Sequence, residues 1–73
     1  MADIERTEVV SSNLEAFSYD AEAKELHVWF RSGVEYVYAE VPQDVADGLL
    51  KASSKGKYLN EHIKQVYAYG KVG

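Results

Sequence analysis

The stretch LHVWFRSGVEYVY, residues 26–38, decides how this chain folds. Leu26, Val28 and Phe30 alternate with His27, Trp29 and Arg31, and Val34, Tyr36 and Tyr38 alternate with Glu35, Val37 and Ala39. Period-2 alternation of apolar and polar residues marks half-buried strands, and Arg31-Ser32-Gly33 between the two runs is a turn. As a three-residue loop, with Gly33 in the left-handed position after a type I turn, it sets Phe30 against Val34. Val28 then faces Tyr36 and Leu26 faces Tyr38, which gathers one continuous core face. As a two-residue Ser-Gly loop it sets Trp29 against Tyr36 and His27 against Tyr38, because a one-residue slip turns a whole strand over. The first register is favoured, with Trp29 and Val37 on the outward face.

Outward from this hairpin, the apolar and aromatic residues 14–19 supply a strand that closes at Asp20 and the turn-like Ala21-Glu22-Ala23-Lys24. Three runs therefore form a meander. Residues 1–8 show no sustained period and read as a flexible N-terminus, with Val9-Val10 suited to the start of a short strand. Val41-Pro42 breaks the sheet, and proline suits the first turn of a helix. Val45, Ala46, Leu49, Leu50 and Ala52 recur at three- and four-residue spacing, so residues 43–52 form a short amphipathic helix. Asp44 and Asp47 favour its positive N-terminal end. Gly48 inside it costs about 1 kcal/mol relative to Ala and permits close backbone approach. After the joint at 53–56, a second helix over 57–67 carries Leu59, Ile63 and Val66 on its core stripe. The expected architecture is α+β: a three-stranded antiparallel β-meander followed by two α-helices packed on one face. The single domain spans residues 9–67, with a tail over 68–73.

At 73 residues, 47% hydrophobic and 27% charged, the composition suits one small globular core. Without cysteine there is neither a disulfide framework nor a thiolate zinc site. No window approaches 18 apolar residues, and the acidic start Met1-Ala2-Asp3-Ile4-Glu5 is unlike a signal peptide, so the expected location is the cytoplasm with no membrane partner.

Charge divides the chain. Residues 1–50 hold 11 of the 12 acids and three of the eight Lys/Arg, a balance of −8; residues 51–73 hold five lysines against Glu61, a balance of +4. The net −4 opposes sequence-blind DNA coating, so any nucleic-acid surface is local. Gly56-Lys57 precedes the second helix, whose N-terminus offers free N–H groups and a positive dipole end. Lys51, Lys55, Lys57 and Lys64 are candidate phosphate contacts, and Tyr58 and His62 candidate stacking or hydrogen-bonding groups. The bland reading is that Gly56 permits the bend and the lysines are solvated. Tyr36 and Tyr38 have the spacing of a base-stacking platform, but on the favoured register they belong to the core.

Catalytic patterns are missing. His27 and His62 lie on different elements with no His-x-x-x-His pairing for a metal. No Gly-x-Ser-x-Gly elbow presents a serine, and Ser54-Lys55-Gly56-Lys57 lacks the P-loop pattern. The expectation is a protein that is not an enzyme and has no cofactor or metal. Its expected partner is RNA, either tRNA or single-stranded. The alternative is a homodimer or larger protein partner met through Trp29, Val37 and His27.

Several features arrive in a familiar order: Val10-Ser11-Ser12-Asn13-Leu14, Tyr19-Asp20, Leu26-x-Val28-x-Phe30, Gly33, Tyr36-x-Tyr38, Val41-Pro42 and Ser53-Ser54-Lys55-Gly56-Lys57-Tyr58-Leu59-Asn60-Glu61-His62-Ile63. Over residues 9–67 the chain resembles the KTSC domain, a short bacterial and phage-associated module that also occurs at the C-terminus of some lysyl-tRNA synthetases. The resemblance implies no catalytic residues, and its company implies an RNA-facing role. Gly48 departs from the larger residue such domains are expected to carry there. Trp29 and Val37 stand where charged residues are more usual, which favours self-association.

Overall fold

The hairpin closes as a three-residue loop. Phe30 N–H donates to the Val34 carbonyl and Gly33 N–H to the Phe30 carbonyl, each at 2.9 Å, with Gly33 at φ +93°. Leu26 therefore pairs with Tyr38 and Val28 with Tyr36, as the continuous apolar face requires.

The computed structural model describes residues 3–72. In chain order the elements are β1 (Ile4–Glu8), β2 (Leu14–Asp20), β3 (Glu25–Phe30), β4 (Glu35–Tyr38), α1 (Gln43–Lys51), α2 (Lys55–His62) and β5 (Tyr69–Val72). The fold is α+β, with two helices and an antiparallel sheet in the order β1-β2-β3-β4-β5.

Five strands replace the expected three. Residues 1–8 and 68–73, read as a flexible end and a tail, supply β1 and β5; residues 1, 2 and 73 lie outside the described residues. The reason is backbone accounting. A three-stranded meander leaves β2 and β4 each with an unpaired row of N–H and C=O groups, and the two tails pair them. Neither tail imprints a hydrophobic period, because β5 is exposed at every residue and β1 at three of its five. Val9-Val10 lies just past the end of β1; Val9 is buried and Val10 fully exposed.

The core forms between one sheet face and the helices. Leu14, Phe17, Tyr19, Leu26, Val28 and Tyr38 meet Val41, Ala46, Leu49, Leu59 and Ile63. The Tyr19 hydroxyl donates to the Val41 carbonyl at 2.5 Å, tying β2 to the approach of α1. Pro42 caps α1 instead of lying in its first turn, and its carbonyl accepts from Val45 and Ala46. The Tyr38 hydroxyl is buried and has no hydrogen-bond partner among the described residues. Burial, then the neighbouring Tyr69 and Tyr36 hydroxyls, push its phenol up to about 12.

The second helix is shorter than its pattern predicts. It starts at Lys55 and ends at His62, after which Lys64 N–H donates back to Leu59 and Val66 N–H to Ile63. Ile63 remains in the core, but Val66 is 62% exposed and does not extend the stripe. The chain must turn here to bring β5 alongside β4, and these tight bonds accomplish that reversal.

Candidate nucleic-acid interface

The joint between the helices is built from side chains that hold the two together. Lys55 Nζ donates to the Ala52 carbonyl at 2.9 Å, so its charge sits at the negative C-terminal end of α1. Gly56 lets the first turn of α2 come close to the β1–β2 link, since a Cβ there would stand 3.3 Å from Ser11 Oγ.

Tyr58 bridges the helices. A Cβ on Gly48 would overlap the Tyr58 hydroxyl and stand 2.9 Å from Cζ, so the ring occupies the space that glycine leaves free. The Tyr58 hydroxyl donates to the Val45 carbonyl at 3.2 Å. Its phenol is raised, first by burial, then by Asp44 and Tyr67. The His62 ring lies 4.6 Å from the Tyr58 ring at 39° and is itself exposed.

Lys57, Tyr58 and His62 share one shallow depression of about 230 Å³ with Ser53, Ser54 and Glu61. The other predicted residues lie elsewhere. Lys55 borders a second depression with Glu8, Val9 and Val10. Lys64 extends toward the sheet, with Nζ 5.8 Å from the centroid of the Phe30 ring. Lys51 is exposed at the end of α1 and Gly56 lies in the first turn of α2; Lys71, outside the predicted set, is exposed on β5. The structure thus gathers Lys57, Tyr58 and His62 of the seven predicted residues and leaves Lys51, Lys55, Gly56 and Lys64 outside that depression.

Ion pairing separates the two sides of the molecule. Among the described residues, no lysine of 51–71 lies within 4.0 Å of a carboxylate. The pairs cluster on the outer sheet face: Arg6 with Glu8 at 3.3 Å and Glu15 at 3.0 Å, and His27 with Glu35 at 3.2 Å and Glu25 at 3.8 Å. The Arg6 guanidinium lies 4.7 Å from the Trp29 ring centroid, and the His27 ring stacks on Trp29 at 6.2 Å. Val37 pairs across the ladder with His27 and is half-buried. The face expected to be an open Trp–Val patch is therefore covered in part by Arg6, which β1 delivers. Arg6 was invisible to sequence reasoning because β1 itself was.

Among the described residues, no three His, Asp or Glu side chains gather to hold a metal, and no helix is long and apolar enough to cross a membrane.

Comparison with known proteins places this architecture. The family model of the KTSC domain matches residues 10–67. A protein of Stutzerimonas stutzeri (strain A1501) is 39% identical over 70 residues, covering 94% of this chain and 99% of the relative. One from Tsukamurella paurometabola is 43% identical over 56 residues, covering 77% of this chain and 84% of the relative. The crystal structure of a KTSC domain protein from Yersinia pestis superposes with a TM-score of 0.90 at 30% identity, covering 99% of this chain and all of the other.

Proposed function

The chain belongs to the KTSC domain family, and from that premise we propose that it is a non-enzymatic module that binds RNA or another polyanion along α2 and its approaches. One observation carries this reading. The five lysines of the C-terminal third lack carboxylate partners among the described residues, while the ion-paired acids sit on the outer sheet face. An unneutralised ammonium is free to displace a counterion from a phosphate, which is the main source of non-specific nucleic-acid affinity. Lys57 and His62 beside Tyr58 form the centre of the surface, with Lys51 exposed at the end of α1 and Lys64 exposed in the turn after α2. Tyr58 is held against Gly48, so in this reading it offers a ring edge and supports His62.

Titration of tRNA and of single-stranded RNA against salt tests the proposal. With about three phosphates neutralised, log K falls with log salt at a slope near −2 to −3, and Lys57→Gln makes that slope shallower by about 0.7 to 0.9. Absence of binding at low salt, or a slope that Lys57→Gln leaves unchanged, refutes it.

A further inference from the structure

The helices do not roof the whole core face. Leu26, Val28 and Tyr38 are fully buried beneath them, whereas Phe30 and Tyr36, further toward the hairpin loop, stay half-buried. Their rings meet edge to face, with centroids 5.3 Å apart at 68°. Against them lies a cleft of about 310 Å³, walled by Ser12 and Asn13 from the β1–β2 link, Arg31 from the hairpin loop and Lys64 from the turn after α2. Three separate parts of the chain therefore converge here, and the volume matches the lower end of the roughly 300–1,000 Å³ of small-ligand sites.

The chemistry of this cleft is one-sided. Among the described residues it is lined by two cations and no carboxylate. Arg31 is held in place, with Nε donating to the Ser11 carbonyl at 2.6 Å and a terminal nitrogen donating to the Val9 carbonyl at 3.4 Å. A guanidinium fixed in this way loses little rotamer freedom when an anion arrives. The Lys64 ammonium hangs over the Phe30 ring without a carboxylate partner among the described residues. Ser12 and Asn13 add hydrogen-bonding groups that suit a base edge or a sugar. A larger hollow at Asp3, Asp20 and Glu22 lacks this character: Asp3 accepts from Ala21 N–H, and Asp20 accepts from Glu22 and Ala23 N–H, which only closes the turn.

We propose that this cleft binds a nucleotide, with the base against Phe30 and Tyr36 and the phosphate between Arg31 and Lys64. The site goes beyond the polyanion reading, since a single nucleotide can occupy it whether or not α2 binds a strand. A free mononucleotide and the phosphate-bearing end of an RNA strand present the same chemistry.

An amide NMR titration of the full chain with AMP, adenosine, inorganic phosphate and an RNA trinucleotide bearing a terminal phosphate tests the proposal. AMP is expected to shift residues 12–13, 30–36 and 64. Adenosine and inorganic phosphate are each expected to bind at least about tenfold more weakly, because each lacks either the charge contact or the stacked ring. Lys64→Gln, at an exposed residue with no carboxylate partner among the described residues, is expected to weaken AMP by roughly fivefold or more while the spectrum keeps its folded dispersion. Phe30→Leu gives a comparable loss through stacking. Trinucleotide binding tighter than AMP at these residues identifies a strand end as the ligand; equal or weaker binding identifies the free nucleotide. The proposal is overturned if millimolar AMP leaves residues 12–13 and 30–36 unmoved, if phosphate alone matches AMP, or if Lys64→Gln changes nothing. Salt-dependent RNA binding with no AMP response refutes the cleft alone, whereas an AMP response without RNA binding refutes the polyanion reading alone.

Discussion

Replacing Gly48 by alanine tests the packing of the two helices most directly. In an exposed helix the change stabilises by about 1 kcal/mol, because glycine loses more backbone freedom on folding. Here the added methyl overlaps the Tyr58 hydroxyl and stands 2.9 Å from Cζ. The ring must move, which breaks its bond to the Val45 carbonyl. Overpacking of this kind costs about 1–3 kcal/mol, including roughly 1 kcal/mol for the hydrogen bond. Gly48→Ala is therefore expected to destabilise by about 1 kcal/mol in the native background, once the propensity gain is set against a mid-range clash. In a Tyr58→Ala background the obstruction is gone and only the gain of about 1 kcal/mol remains, so the effect reverses sign. The double-mutant cycle then gives a coupling of about 2 kcal/mol, within the range for residues in contact. Urea unfolding of all four proteins at one temperature measures it. A Gly48→Ala that stabilises both backgrounds equally would refute the claim that glycine is needed here for the approach of Tyr58.

Two further outcomes follow from the core and the hairpin. Tyr38 has its folded-state phenol near 12 against an ordinary value of 10, so the neutral form is the one the fold prefers. Its contribution is complete below pH 10 and is lost as pH rises through about 12, on the order of 3 kcal/mol in all. Tyr38→Phe should remove that alkaline loss and leave stability at pH 7 within about 1 kcal/mol of the native protein, since the buried hydroxyl it deletes has no hydrogen-bond partner among the described residues. Denaturation at pH 7 and near pH 11 decides it, and an unchanged alkaline profile in the variant counts against the assignment. At the hairpin, Gly33 has φ +93°, and Gly33→Ala is expected to destabilise by about 1–2 kcal/mol through the left-handed conformation alone. A calorimetric melt that shows no loss would contradict the three-residue loop.

Local pattern alone determined the middle of this molecule. The alternation on either side of Arg31-Ser32-Gly33 specified two strands, and the demand for one continuous apolar face selected the register, because period 2 permits only one arrangement that buries Leu26, Val28 and Tyr38 together. The spacing of Val45, Ala46 and Leu49 marked α1 for the same reason. Ile63 was legible as core, but the end of α2 was not, since Val66 fits the helical stripe and only the need to return to β4 turns it outward. Tertiary structure alone decided the rest. β1 and β5 are strands because β2 and β4 expose hydrogen-bonding edges, a demand made by neighbours and invisible in the tails' own residues. The cover of Arg6 over Trp29 depends on that pairing, as does the presence of Lys71 opposite Tyr36. The charge asymmetry could be counted along the chain. Which lysines stand together could not, because direction in space depends on how α2 is anchored against the β1–β2 link at Ser11 and against α1 at Gly48, contacts between separate elements of the fold.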